Sequence, residues 1–450
     1  MVLLHTLMMH FEINNSSKKV FLENHKFKKN MKKNASEHKI YYSIIALVML
    51  IFFVISFITN ILNSIIVDVK TSFDLSLTLT GLLPFSFFIA YGVMSIPAGF
   101  LSEKYSNKTL LSISLFVMMI ASLLFVVFPG YAVFSVTLFS LGCCMAVLQV
   151  VINPMLRVAG GEEHFAFNSV LAQVVFGLAS FTSPYLYQNI AGKNIDKNSI
   201  AHTLRGLVPE NLPWVSLYVV FSLISFALLL VVLLTKYPDF EKNEDEKAGD
   251  SNSYWSLLKN KWTLLFFISI FCYTGIEQGI GNWISQFLKQ YHGFDEKIVG
   301  ADTVAYFWAM LTVGCLLGLV LLKIMDSRKL LIIASIAAIT TLLFALNGSA
   351  KVALICFPMV GFFISVMWSI IFSLALNSVS SHHGSLSGIL CTGIAGAAVI
   401  PFIIGWIGEL TTLKTGLYFL LIPMVFVLSI GFWASPLVNN KTISLKKSDS

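Results

Sequence analysis

Long apolar runs separated by short polar breaks govern the chain from residue 41 onward, and each is close to the roughly 20 residues a helix needs to cross a bilayer. They fall at 41–67, 79–101, 109–128, 131–156, 166–188 and 214–235, then at 262–288, 301–322, 329–347, 352–378, 385–408 and 415–437. The pattern predicts an all-α integral membrane protein with twelve transmembrane helices in two six-helix halves. Around them lie a basic N-terminal tail over 1–40, an N-terminal half over 41–236, a polar linker over 237–261, a C-terminal half over 262–438 and a short tail over 439–450.

Polar side chains inside the apolar runs carry the chemical information. The fourth run contains Leu148-Gln149-Val150-Val151-Ile152-Asn153-Pro154, and a buried amide without a partner costs roughly 1–3 kcal/mol. Gln149 and Asn153 are four residues apart and share one helix face. Pro154 removes a backbone donor, which predicts that the helix ends or bends there. Asn60, Asn63 and Ser64 make a polar face in the first run; Gln278, Asn282 and Gln286 make another in the seventh, with Trp283 alongside, and Gln173 stands in the fifth. Each has two readings, since amides also clasp membrane helices to one another. Ser365, Ser369, Ser373 and Asn377 in the tenth run either line a pathway or permit close packing. Trp308 and Trp368 fit core or lipid packing as well as ligand stacking, while Trp214, Trp262 and Trp433 near run ends are expected in an interfacial belt. Glu277 is the one acid deep within a run, where a charge is costly; it is either a proton or cation carrier or a structural, hydrogen-bonded acid.

Composition fixes the class. Of 450 residues, 56% are hydrophobic and 12% charged, the balance of a polytopic membrane protein. Of the 30 Lys and Arg residues, 22 fall on the side of the chain termini, so both termini are expected in the cytoplasm. The net charge of +7 is thereby a topology signal, and a nucleic-acid partner is not expected. The six cysteines lie in or near the runs without metal-ligand spacing and read as small apolar packing residues. No catalytic triad, phosphate loop or zinc signature is present, so neither enzymatic activity, metal nor cofactor is expected, and His382-His383 reads as a solvated loop. Residues 1–30 lack the apolar core and cleavage site of a signal peptide, and Met31-Lys32-Lys33 offers a second translation start.

The two halves repeat a loop. After the second run comes Pro97-Ala98-Gly99-Phe100-Leu101-Ser102-Glu103-Lys104-Tyr105-Ser106-Asn107-Lys108, and after the eighth Gly318-Leu319-Val320-Leu321-Leu322-Lys323-Ile324-Met325-Asp326-Ser327-Arg328-Lys329. Gly99, Glu103, Lys104 and Lys108 in the first, and Gly318, Lys323 and Arg328 in the second, are candidate gating residues. The first loop resembles a divergent form of the glycine-acid-basic signature of the major facilitator superfamily. Asn60-Ile61-Leu62-Asn63, Pro97-Ala98-Gly99, the Leu148–Pro154 stretch, Leu171-Ala172-Gln173, Glu277-Gln278-Gly279-Ile280-Gly281-Asn282-Trp283, Ile371-Phe372-Ser373-Leu374-Ala375, Ser387-Gly388-Ile389-Leu390-Cys391 and Gly396-Ala397-Ala398-Val399-Ile400-Pro401 are together similar to sugar permeases related to bacterial fucose and glucose/galactose transporters. The resemblance spans roughly residues 41–437.

It implies a major facilitator fold, a multi-pass bacterial inner-membrane location, a monomer in the lipid bilayer, and import of a hexose or related neutral sugar by alternating access. A neutral polyol needs short hydrogen-bonding side chains and an aromatic surface, and Asn60, Asn63, Gln149, Asn153, Gln173, Gln278, Asn282 and Trp283 are the candidates. Proton symporters of this kind carry acids where Asn63 and Gln149 stand, and neither amide titrates; the fifth run also departs from the family's Arg-x-Asn pattern. Glu277 is left as the proton-coupling candidate, and H+ or Na+ as a candidate coupling ion. An uncoupled facilitator, an exporter of small apolar compounds and a nontransporting sugar sensor stand as alternatives.

Overall fold

The structure, a computed structural model, describes residues 40–75, 77–191, 199–237 and 257–443; within its helices the side chains of 62–64, 66–67, 77–85, 184 and 296–297 lie outside the description. The expected basic tail up to residue 39, most of the linker and the last seven residues therefore lie outside the described residues, as does the side chain of Asn63. The first set of helices comprises α1 Tyr42–Ser72, α2 Leu77–Lys104, α3 Asn107–Val127, α4 Tyr131–Gly160, α5 Phe165–Ala191 and α6 Ser216–Leu234. The second comprises α7 Lys261–His292, α8 Ala301–Ile324, α9 Ser327–Asn347, α10 in the segments Ala350–Ile364 and Met367–Leu376, α11 in the segments His383–Thr392 and Gly396–Leu410, and α12 in the segments Leu413–Tyr418 and Leu421–Trp433. Eleven candidate spans are long and apolar enough to cross a membrane, and α2 has the length to join them.

Polar residues at the run ends start and stop these helices. Ser106, Asn260, Asp326 and Thr412 each accept a hydrogen bond from a first-turn N–H of α3, α7, α9 and α12, donors that would otherwise be unpaired. Gly293 closes α7 in the left-handed region at φ 71, where its N–H reaches the carbonyls of Leu288 and Lys289.

Of the two outcomes expected at Pro154, an end or a bend, the end does not occur. α4 neither ends nor is interrupted at Pro154 but continues to Gly160, so the proline sits in the helix interior with one rung missing. Trp214 also departs from the expected interfacial belt. It is 1% exposed, donates to the Ser72 hydroxyl at 3.0 Å, and packs in the first set against Phe125, Phe134 and Tyr218. Trp262 and Trp433 do stack near a helix end, with centroids 5.7 Å apart and Trp262 exposed.

Within the first set α1 packs on α5, α2 on α4, and α3 on α4 and α6; in the second, α7 packs on α11 and α12, α8 on α10, and α9 on α10 and α12. The sets meet where α2 crosses α11 and where α5 crosses α8 and α10. Glycine makes these crossings possible. A Cβ on Gly388 of α11 would lie 2.5 Å from the Ser95 carbonyl oxygen and 2.8 Å from the Cα of Gly99 in α2, and one on Gly177 of α5 would meet the Thr312 hydroxyl of α8 at 2.4 Å.

Gly388→Ala should therefore lower the thermal midpoint of the purified protein, since overpacking against backbone costs about 1–3 kcal/mol. Gly92→Ala, where a Cβ meets nothing within 4 Å, should leave it unchanged or raise it, because alanine favours a helix interior over glycine. Equal melting of the two variants would contradict the tight α2–α11 crossing.

Candidate functional site

The polar contacts between the two sets gather at the end of the bundle where α6 stops and α7 starts, called here the linker end. Arg157, 4% exposed near the end of α4, donates through Nε to the Asn377 side-chain oxygen at 2.7 Å and pairs with Glu162 at 3.0 Å. Asn377, just past α10, donates in turn to the Glu162 carbonyl at 3.1 Å. Beside them the Glu103 carboxylate crosses from α2 to the start of α11, accepting from the Ser385 N–H at 3.0 Å and lying 3.2 Å from His382 Nδ1. An anion at a helix N-terminus is favourable, and His382 precedes that helix with a left-handed φ of 59.

A stretch of chain after α12 fastens the same end. Asn440 donates to the carbonyls of Leu322 and Met325 at 3.0 and 3.1 Å and accepts from the Ser327 N–H at 2.9 Å, closing the α8–α9 turn. Its neighbour Lys441 then reaches the first set, donating its N–H to the Glu163 carbonyl at 2.9 Å. Lys323 stands 4.2 Å over the Phe167 ring.

Deeper in the seam, Ser387 of α11 donates its hydroxyl to the Val150 carbonyl of α4 at 2.9 Å. That carbonyl is four residues before Pro154, which has no N–H to offer it.

The expected site amides separate into two kinds. Asn60 is committed to packing: its amide donates to the Ser56 carbonyl at 2.8 Å and to the Ser180 hydroxyl of α5 at 2.8 Å. Asn153 donates to the Gln149 carbonyl of its own helix at 2.7 Å. Trp283 donates to the Pro401 carbonyl of α11 at 3.2 Å. Gln149, 9% exposed, and the half-buried Gln173 and Gln278 have amides without hydrogen-bond partners among the described residues, and so has the exposed Asn282. Gln149 precedes the Ser387 contact, and Gln173 lies on α5 between Val170, near Gly318, and Gly177 against Thr312. Both helices thus carry a free amide along the seam with the second set.

On α7 the face of Gln278, Asn282 and Gln286 lies between two packed faces. Gly275 and Gly279 abut Ile400 and Ile404 of α11, and Gly281 abuts Trp308 of α8. Glu277 is turned about 100° from Gln278, toward the interior of the second set. There Tyr273 stands one turn earlier on the same flank, its ring 6.2 Å from that of Trp368 of α10, and Cys315 of α8 is the nearby group across the interface. The structure therefore separates the acid from the amide face.

The two repeated segments, expected as loops, are mostly helical, with only Tyr105-Ser106 and Met325-Asp326 between helices, and they differ. In the first, Gly99 and Glu103 join the sets, while Lys108 donates to the Leu233 carbonyl at 2.6 Å and Lys104 lies over the Tyr105 ring. In the second, Gly318 approaches Val366, Lys323 receives the Ile443 N–H on its carbonyl at 2.7 Å, and Arg328 pairs with Asp326. Arg157, Glu162, Glu163 and Lys441 escaped notice in the sequence because they sit at run ends, where charges are ordinary. His382, expected in solvent, is engaged by Glu103 and has a side chain only 16% exposed. Among the described residues no cluster of metal-ligating side chains occurs.

A family model described as Major Facilitator Superfamily matches residues 48–400. A glucose/galactose transporter of Brucella abortus biovar 1 (strain 9-941) is 30% identical over 357 residues, covering 77% of this chain and 82% of the relative. An L-fucose-proton symporter of Escherichia coli (strain K12) is 23% identical, covering 77% of this chain and 82% of its own. A crystal structure of the transporter FucP in the outward conformation superposes with a TM-score of 0.75 at 21% identity, covering 87% of this chain and 98% of that one, a likeness of fold.

Arg157→Ala should destabilise the closed linker end by about 2–4 kcal/mol, the loss expected when one partner of a buried hydrogen-bonded charge pair is removed. Lys441→Ala, at an exposed pair with Glu163 of 3.2 Å, should cost no more than about 1 kcal/mol. Thermal melting and hydrogen exchange at the linker end read both; equal losses would overturn the ranking of these contacts.

Proposed function

Because the chain belongs to the Major Facilitator Superfamily, we propose that it is a transporter that imports a hexose or related neutral sugar by rocking two six-helix halves about a site between them. The halves are residues 41–236 and 262–438, joined by the linker 237–261, and the transporter works as a monomer in a bacterial inner membrane. The linker end and both termini face the cytoplasm, as the Lys and Arg distribution favours. On that orientation the closed linker end makes this an outward-facing state. The observation that carries the reading is the set of buried or half-buried amides on Gln149, Gln173 and Gln278 that have no hydrogen-bond partner among the described residues, the first two on helices that contact the second set. Polar groups left unpaired inside a membrane protein fit a polar cargo, and a neutral polyol matches amides that carry no charge. The names of the relatives, a glucose/galactose transporter and an L-fucose-proton symporter, point to the same class.

Asn60, Asn153 and Trp283 have the weaker claim to the sugar, since each already bonds within the protein. Gly99, Glu103, Lys104, Lys108, Gly318, Lys323 and Arg328 belong to the gate at the cytoplasmic end. Coupling has two readings. Glu277 is an intramembrane acid and by its place in α7 a proton carrier; its turn toward Tyr273 and Cys315, off the amide face, favours a structural role in a facilitator.

Uptake of labelled glucose, galactose, fucose and mannose into vesicles, with pH and sodium gradients imposed separately, tests both. At least one hexose should enter, and Gln149→Ala should weaken its binding by about tenfold, the loss of one hydrogen bond to a buried polar partner. No uptake of any of the four by correctly inserted protein would sink the sugar assignment. Glu277→Gln should abolish accumulation against a gradient while sparing exchange if the acid carries the proton; accumulation retained in that variant assigns it the structural role.

A further inference from the structure

The Pro154 break sits one turn from Gln149, and it is answered from the other half of the molecule. In an unbroken helix the Val150 carbonyl would accept from the N–H of residue 154, but proline has none. Val150 and Ser387 are both fully buried, so neither water nor lipid headgroup substitutes for the missing donor in this state. The Ser387 hydroxyl fills the place at 2.9 Å. The same short stretch has a second irregularity: the Asn153 amide nitrogen donates to the Gln149 carbonyl at 2.7 Å, and its side-chain oxygen has no partner among the described residues. The backbone beneath Gln149 is thus held by side chains, one of which comes from α11.

We propose that Ser387 is a positioning residue for the sugar site: by completing the rung that Pro154 leaves open at Val150, it makes closure of the linker end and the setting of Gln149 a single event. The inference rests on the reading of Gln149 as a sugar-binding residue. Ser387 lies in the first segment of α11, one residue before Gly388, whose contact with Gly99 depends on the same close crossing. When α2 and α11 part, Ser387 leaves with α11, and the Val150 carbonyl must take water entering from the linker end. Sugar bound at Gln149 in the closed-end state therefore favours that state, and opening of the end loosens the sugar. The Pro154 residue, read by itself as a helix defect, becomes the feature that makes the contact dependent on conformation. With an N–H at position 154 the carbonyl would be satisfied within α4 in both states.

A double-mutant cycle isolates this contact. Ser387→Ala, Pro154→Ala and the double variant are compared in nanodiscs, with two readouts: hydrogen–deuterium exchange of peptides covering 95–104 and 383–392, and calorimetric affinity for the transported hexose. In the presence of Pro154, Ser387→Ala should speed linker-end exchange by roughly 3- to 10-fold and weaken sugar binding by a similar factor, the scale of one hydrogen bond. In the Pro154→Ala background both effects should shrink to less than about 2-fold, because the backbone N–H restored at position 154 supplies the rung. Equal effects of Ser387→Ala in both backgrounds, or no effect of Ser387→Ala in a protein that keeps its melting temperature, would overturn the proposal. The exchange readout needs no sugar. Non-additive exchange in a protein that takes up no hexose would keep the latch and sink the sugar reading, whereas hexose uptake with additive exchange would do the reverse.

Discussion

A helix in a bilayer has to satisfy its own backbone, because the hydrocarbon offers no water to its carbonyls, and α4 fails to do so at Val150. The missing donor is supplied by Ser387 across the seam, so the helix is complete only when the two halves are together at the linker end. The rest of that end follows from the requirement of close approach. Gly99 and Gly388 remove the side chains that would hold α2 and α11 apart, and with the helices close, Glu103 reaches the start of α11 and Arg157 reaches Asn377. The extended chain after α12 then lies across the result, anchored to the α8–α9 turn by Asn440 and to the first half by Lys441.

Such a closure must hold without being permanent. Exposed pairs such as Lys441 with Glu163 contribute little, and a buried contact such as Arg157 with Asn377 contributes more, so the closed end rests on a few strong bonds surrounded by weak ones. A ligand moves the balance between closed and open ends only through its differential affinity for them. Gln149 beside Val150 and Gln173 between the glycine-aided contacts of α5 stand on helices that meet the second set or lie next to it. On the proposed reading a neutral molecule bound there would act on the gate without a titrating group, and Glu277 lies on α7, on a different helix face from Gln278.

The fold was legible in the chain to a large degree because the apolar period and run length are set by the membrane itself. The repeated segments and their glycines were legible too, but as loops, whereas Gly99 and Glu103 lie in the last turns of α2 and Gly318 and Lys323 in those of α8, leaving only Tyr105-Ser106 and Met325-Asp326 between helices. What escaped was whatever depends on pairing across the chain. Arg157 and Asn377 are 220 residues apart, and each looks unremarkable alone. Pro154 was read locally as a point where the helix ends or bends, yet α4 passes through it to Gly160 with the Ser387 hydroxyl on the Val150 carbonyl. Trp214 near a run end looked like a belt residue, yet the fold turns it inward onto Phe125 and Phe134. Among the candidate amides, the four-residue spacing of Gln278 and Asn282 falls on one helix, but spacing could not reveal that Asn60 and Asn153 donate their amides within the protein.

In the proposed transport cycle the two ends of the bundle open reciprocally around the amide-bearing seam. Pulsed electron-spin distance measurements on two label pairs test it most directly, one across the linker end at Tyr105 and Ile324 and one across the opposite end at Leu207 and Ile298, all exposed positions. Across a series of bound sugars and imposed pH, the opposite distance should shorten whenever the linker-end distance lengthens, with the closed linker end at one extreme. Distances that lengthen together, or a linker-end distance that never changes in protein that transports sugar, would contradict it.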